Sequence, residues 1–225
     1  MAQSVNLKPF YIGLAVLVVA GAAAIWWARS SSRDEGPRAV DPIPVSATEF
    51  YGYTLGSDSA PVEIVEYSNF GCPWCARFAV LTKPDVRERL INTGMVRWVY
   101  RDFLLGDHGA GNLAHEAAAC AGEQGLFWPM HDQVFFNQGR WMQDRRPERT
   151  FRGYARDIGV DIGQYDDCMD ERRYLGRITA TRDQGVGLGV QSTPTFIVGG
   201  LMVAGAIPYD SLYTLVMRAM PADGQ

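Results

Sequence analysis

The 225-residue sequence has little surplus charge: 21 Lys and Arg face 25 Asp and Glu, for a net charge of −4 with histidine neutral. Residues 1–28 carry one lysine and no acid, so the rest of the chain stands at −5. A mildly acidic domain offers no electrostatic reason to bind nucleic acid. Metal-binding side chains are scarce as well. A zinc ribbon needs a second closely spaced cysteine pair, and Cys120 and Cys168 each stand alone. His108, in a Gly-rich loop, and His115 and His131, on helical stretches, have no ligand company and read as solvated or core-edge histidines. No Met or His cluster flanks Cys72 and Cys75, which puts a thiolate copper carrier last among the alternatives. Neither a metal nor another cofactor is expected. There is no tandem repeat. Gly185-Val186-Gly187-Leu188-Gly189 lacks the strand–turn–helix context of a nucleotide loop and reads as a helix terminator. Disorder is not expected either, with 47% of residues hydrophobic and six Trp. The length suits one domain with appendages better than two.

Charge is wholly missing from Phe10 to Trp27, eighteen residues that read FYIGLAVLVVAGAAAIWW. As a helix this run measures about 27 Å at ~1.5 Å per residue, close to the ~30 Å hydrocarbon core of a bilayer. Tyr11 at one end and Trp26-Trp27 at the other match interfacial aromatic anchors. A cleaved signal peptide, with Ala22-Ala23-Ala24 as the small-residue site, is the competing reading. The apolar run exceeds a usual signal core, and cleavage there would leave Ile25-Trp26-Trp27 as a greasy new terminus. An uncleaved transmembrane anchor over residues 1–29 is therefore expected. Flanking charge does not support an inside N-terminus, because Lys8 lies on one side and Arg29, Arg33 and Arg38 on the other. Residues 30–47, rich in Ser, Pro and charge, read as a flexible linker spanning roughly 25 Å. The domain proper is expected over residues 48–225.

What the chain does contain is Cys72-Pro73-Trp74-Cys75, set where a strand gives way to a helix. Val62 to Tyr67 is largely apolar on both faces and reads as a buried strand. Ala76, Phe78, Ala79, Val80 and Leu81 begin a helix that Pro84 must kink or break. Both thiols thus lie near a helix N-terminus, where unpaired N–H groups and the dipole favour a thiolate. In such a pair one thiolate attacks a partner's disulfide and the other resolves the mixed disulfide. A structural bridge closing so small a ring would stabilise little. Cys72, ahead of the helix, is expected to be the exposed nucleophile with the depressed pKa. Cys75, one turn in and nearer Glu66, is expected to resolve. Pro73 keeps the turn tight without needing an N–H. Met95 to Phe103 reads as a second strand completing a βαβ unit, followed by helical spacing over about 108–185. Phe196 to Val198 and Leu201 to Val203, joined by Gly199-Gly200, make a hairpin, and Pro208 to Met220 a closing amphipathic helix. Cys120 and Cys168 fall on the apolar stripes of their helices. Of three connectivities, only their pairing leaves Cys72 and Cys75 to cycle together, and a structural disulfide suits an oxidising compartment.

This order of strand, Cys-Pro-x-Cys helix, strand, helical insertion, Thr-Pro loop, hairpin and helix resembles the DsbA-like disulfide oxidoreductases of the thioredoxin superfamily. The resemblance covers Gly56 to Met220. Its most specific parts are Cys72 to Cys75 and Ser192-Thr193-Pro194-Thr195-Phe196, supported by Ala117 to Ala121 and Gln124 to Trp128. It implies an α/β thioredoxin fold with a helical insertion, and a cis Thr193–Pro194 bond beside the cysteines. It also implies a buried acid, Glu66, as proton acceptor beneath Cys75, and a backbone edge at Pro194 that pairs with an extended peptide. Trp74 is a departure. Strongly oxidising members often carry His there, whose charge stabilises the thiolate, so the redox direction stays open. The expected function is a membrane-tethered thiol–disulfide oxidoreductase on the extracytoplasmic, periplasmic side. Its expected partners are protein thiols and disulfides, the membrane through the N-terminal helix, and a membrane redox partner or complex. The alternative is a non-enzymatic interaction subunit of a membrane complex.

Overall fold

The computed structural model describes residues 8–31, 36–40, 50–106 and 109–221, so His108, residues 32–35 and 41–47 of the expected linker and the expected domain start lie outside them. The chain divides into two units, Met1–Gly36 and Pro37–Gln225. The first holds helix α1, Lys8–Ser31, 24 residues, about 36 Å long at ~1.5 Å per residue. Side chains are described for Tyr11 and residues 13–26, and Leu14, Leu17, Val18, Val19 and Trp26 are exposed. Among the described residues, no helix is long and apolar enough to cross a membrane.

The second unit is built on a six-stranded sheet: β1 (Arg38–Ala39), β2 (Tyr53–Leu55), β3 (Val62–Ser68), β4 (Val96–Asp102), β5 (Thr195–Val198) and β6 (Leu201–Ala204). The strands lie in the order β1-β6-β5-β3-β4-β2. Only β3 and β4 run parallel, with Glu66 opposite Tyr100 and Ser68 opposite Asp102, as a βαβ crossover requires. Central β3 is buried on both faces. Val62 and Ile64 pack with Phe78, Trp98, Phe196 and Leu212 on one side, whereas Val65 and Tyr67 pack with Val99, Phe103 and Ile197 on the other. Gly199 and Gly200, at φ 55° and 77°, supply the two left-handed residues of a tight β5–β6 hairpin.

The crossover holds α2 (Pro73–Leu81), α3 (Lys83–Val86) and a π-turn over Arg87–Ile91. Pro84 lies in the first turn of α3, where its missing N–H is harmless. The helical insertion comprises α4 (Gly109–Glu123), α5 (Phe127–Phe136), α6 (Gln138–Trp141), α7 (Pro147–Asp157), α8 (Ile162–Asp170) and α9 (Leu175–Gly187), and α10 (Tyr209–Ala219) closes the chain. The glycine-rich stretch ends a helix as expected: α9 stops at Gly187, and Gly189 follows at φ 83°. Gly185 lies in the last turn, where an added Cβ would meet Tyr67 at 2.8 Å and Phe103 at 2.9 Å. The expected linker is corrected, since α1 reaches Ser31 and Arg38–Ala39 pairs antiparallel with β6. The edge of β6 offers N–H and C=O groups that a passing chain can satisfy. Val40 donates to the Gly200 carbonyl at 2.8 Å, and the Arg38 guanidinium to the Gly189 carbonyl at 3.1 Å.

Candidate active site

The redox turn begins where β3 stops. The Asn69 side chain accepts the Gly71 N–H at 2.7 Å, and its carbonyl accepts the Cys72 N–H at 3.0 Å, which closes the turn. Cys72 caps α2 in an extended conformation, and Pro73 occupies its first turn. Two residues of the insertion hold the same turn from outside. The Gln138 amide donates to the carbonyls of Phe70 at 2.6 Å and Cys72 at 2.9 Å. The Phe70 N–H donates to His115 Nε2 at 3.3 Å, which leaves His115 Nδ1–H to donate to Asp102 Oδ1 at 2.6 Å.

Both cysteines are free thiols, and their surroundings differ. Cys72 is 8% exposed and Cys75 is fully buried. The Thr193–Pro194 bond is cis, and the Thr193 carbonyl accepts from the Cys72 thiol at 3.2 Å. That carbonyl favours the thiol, whereas the Thr193 hydroxyl, buried and without a partner among the described residues, is free to donate to a thiolate. The donors prevail. Hydrogen bonding from Cys75, then from Thr193 and the N–H groups of Cys75 and Trp74, holds the Cys72 pKa down to about 5 against the opposing effect of burial. Burial, followed by the hydrogen bond and charge of Cys72, pushes Cys75 well up, with Asn69 and Ser68 opposing. The pair can therefore present one thiolate while its neighbour stays protonated.

Glu66 is fully buried, as the resemblance implies. Its Oε2 accepts the Trp98 indole N–H at 3.0 Å and lies 3.7 Å from Lys83 Nζ, while Oε1 has no partner among the described residues. Trp74 is 57% exposed, with the Arg77 guanidinium 5.5 Å from its ring centre. Cys120 on α4 and Cys168 on α8 form a disulfide with Cα atoms 5.8 Å apart. The histidines are a correction: His115 and His131 are fully buried rather than solvated or at the core edge, because each has an aspartate to satisfy its Nδ1. The sequence reading assigns no role at the redox turn to Lys83 or Gln138, and takes His115 only as a solvated or core-edge histidine. For Lys83 there is a signal, since Cys75, Ala79 and Lys83 recur at four-residue spacing on one helical face. His115 and Gln138 reach the turn over 45 and 68 residues, and no local pattern marks them. Among the described residues no group of His, Cys, Asp and Glu is arranged to hold a metal ion.

Known proteins share this architecture. The matched segment is 37% identical over 168 residues to a Na(+)/H(+) antiporter NhaA 3 of Salinispora tropica, covering 74% of this chain but 24% of that protein. The chain thus spans about a quarter of the antiporter's length. A probable disulfide bond formation protein D of Bacillus cereus is 25% identical over 194 residues, 83% of this chain and 84% of that one. The oxidised BdbD structure from Bacillus subtilis superposes with a TM-score of 0.67 at 22% identity, over 74% of this chain and 91% of that chain. The family model described as thioredoxin matches residues 48–218, most of the sequence, and the chain belongs to the thioredoxin family.

Proposed function

We propose that this chain is a DsbA-like thiol–disulfide oxidoreductase that exchanges disulfides with extracytoplasmic proteins through Cys72 and Cys75. The observation that carries the reading is a pair of free thiols within one helical turn, Cys72 capping α2 beside the cis Thr193–Pro194 bond and Cys75 fully buried behind it. In the oxidised enzyme a substrate thiolate attacks Cys72, and the Cys72–Cys75 bond breaks with its electron pair going to Cys75. A second substrate thiol then attacks its partner in the mixed disulfide, and Cys72 leaves as a thiolate. A sulfur with its pKa near 5 is a good leaving group, so the site favours giving its disulfide away even with Trp74 in place of a charged residue. Reoxidation begins when Cys72 attacks the disulfide of an oxidant and Cys75 resolves the product. Glu66 is the base for Cys75 in that step.

The uncharged face of α1 supports a membrane tether, and the Cys120–Cys168 disulfide supports an oxidising, periplasmic compartment. A second reading has its own support. The antiporter that resembles this chain carries the matched segment as a minor part of a longer protein, which favours an interaction module of a membrane assembly. Trapping separates the two. Full-length Cys75→Ala is expected to accumulate proteins disulfide-bonded to Cys72, and Cys72→Ala to accumulate none. A stoichiometric partner that co-purifies equally with Cys72→Ala, together with no trapped adducts, would favour the interaction module.

A further inference from the structure

The redox turn is gripped at Phe70, two positions before Cys72. The Phe70 ring is fully buried, 4.9 Å from the His115 ring and 4.6 Å from that of Phe135. Its carbonyl accepts from Gln138 on α6 at 2.6 Å, and its N–H donates to His115 on α4 at 3.3 Å. A residue held at both groups has little room to turn about φ or ψ. The Gln138 bond is an ordinary amide contact. The His115 bond is conditional on where a proton sits.

A neutral imidazole presents a donor or an acceptor at Nε2, depending on which nitrogen carries the proton. Phe70 offers only a donor, so the bond forms only with the neutral ring protonated on Nδ1. That Nδ1–H donates to Asp102 Oδ1 at 2.6 Å. A carboxylate can only accept, and Asp102 therefore selects this tautomer. Asp102 is 1% exposed, and its second oxygen, Oδ2, has no partner among the described residues. Burying a carboxylate with one oxygen unsatisfied is costly, and asparagine would fill the same space without the charge. What the charge adds is a one-way choice of tautomer.

The residues involved belong to different elements. Asp102 ends β4 opposite Ser68, and the Phe103 N–H joins the two strand ends by donating to the Ser68 carbonyl at 2.9 Å. The carboxylate is thus fixed to the sheet. His115 lies one turn after Gly111 on α4, so the two share a face of that helix. That face is pressed onto the redox turn, since a Cβ added at Gly71 would lie 3.6 Å from the Gly111 Cα.

We propose that Asp102 and His115 form a tautomer-selecting clamp on the redox turn, and through it set how firmly the Cys72 thiolate is held in the exchange proposed above, on which this role rests. Neither touches a sulfur, and both are positioning residues. With Phe70 fixed, Cys72 caps α2 and its sulfur receives the N–H groups of Trp74 and Cys75. With the clamp open, Phe70 can turn and those donors are no longer held on the sulfur. The thiolate is then held less firmly, the reduced pair loses stabilisation, and the disulfide becomes a weaker oxidant.

The test uses three variants of the full-length protein. Asp102→Asn keeps the shape of the side chain, but its amide can donate to Nδ1 and so move the ring proton to Nε2, against the Phe70 N–H. The midpoint of the Cys72 thiolate absorbance is expected to rise from about 5, with about tenfold less thiolate at a given pH below it. The equilibrium with glutathione is expected to shift about tenfold toward the protein disulfide, ~30 mV for this two-electron couple. His115→Leu has no acceptor and is expected to act likewise. His115→Gln can place its amide oxygen where Nε2 stands, and is expected to keep both values near wild type. A dyad that served packing alone would cost stability in all three and leave both values unmoved. Wild-type values in Asp102→Asn and His115→Leu would therefore overturn the clamp, as would a shift in His115→Gln equal to that in His115→Leu. The wild-type protein decides where variants do not fold: ring-nitrogen NMR is expected to find the His115 proton on Nδ1, and a proton on Nε2 would overturn the clamp. A wild-type Cys72 that titrates like a free thiol would instead remove the oxidoreductase reading.

Discussion

At Cys72 the sulfur sits at the cap of a nine-residue helix, with hydrogen-bond donors from Cys75, Thr193 and Trp74 aimed at it. At Cys75 burial dominates, and the proton is kept. Folding lowers the Cys72 pKa from 9.0 to about 5, so its thiolate stabilises the reduced fold fully above pH 9, and that contribution is lost as pH falls through about 5. Gln138 holds the backbone on which this depends. Gln138→Ala removes two hydrogen bonds to the turn, which is expected to cost roughly 1–3 kcal/mol and to raise the Cys72 pKa. Thiolate absorbance of the reduced protein against pH measures the second effect, and an unchanged titration would show that Gln138 does not position Cys72. The placement of Cys72, Pro73 and Cys75 at the start of α2 is legible from four consecutive residues, because a helix N-terminus is a local property. Burial of His115, His131 and Lys83 is not, since each meets a partner outside its own turn, although His131 also pairs with its neighbour Asp132. His115 depends on Asp102, and Lys83 meets His131 across 48 positions.

Among the elements, the parallel β3–β4 pair, the glycine hairpin and the closing helix follow from apolar patterning and turn chemistry readable in short windows. Strand β1 does not, because two residues of a Ser- and Pro-rich segment become a strand only by meeting the open edge of β6. The end of α9 within Gly185 to Gly189 is local, whereas the close approach of Tyr67 and Phe103 that Gly185 permits is announced by no neighbouring residue. The insertion is tied to the sheet through His115 on α4 and Gln138 on α6, and α4 is itself tied to α8 by Cys120–Cys168. That bridge joins residues 48 apart in sequence, a closure for which the chain-entropy account gives roughly 4 kcal/mol. Replacing both Cys120 and Cys168 by alanine is expected to lower unfolding free energy by up to about that amount in urea titrations. A change well under ~1 kcal/mol would mean that the reduced chain already holds α4 and α8 together.

For the whole molecule, the thioredoxin-family domain and the N-terminal helix raise separate questions. The tether is tested by fractionation: full-length protein is expected to resist alkaline and high-salt washing of membranes, and removal of residues 1–29 to release it. A mature N-terminus found at Ile25 would contradict the anchor. The catalytic account stands apart from that outcome and rests on the ionisation of Cys72. Its most direct measurement is the rate of alkylation of each thiol in the reduced protein as a function of pH. The expected result is selective labelling of Cys72, faster than a free cysteine near neutral pH, with the rate falling only as pH drops through about 5. Labelling of Cys75 first, or a Cys72 rate no greater than that of a free thiol, would contradict the account.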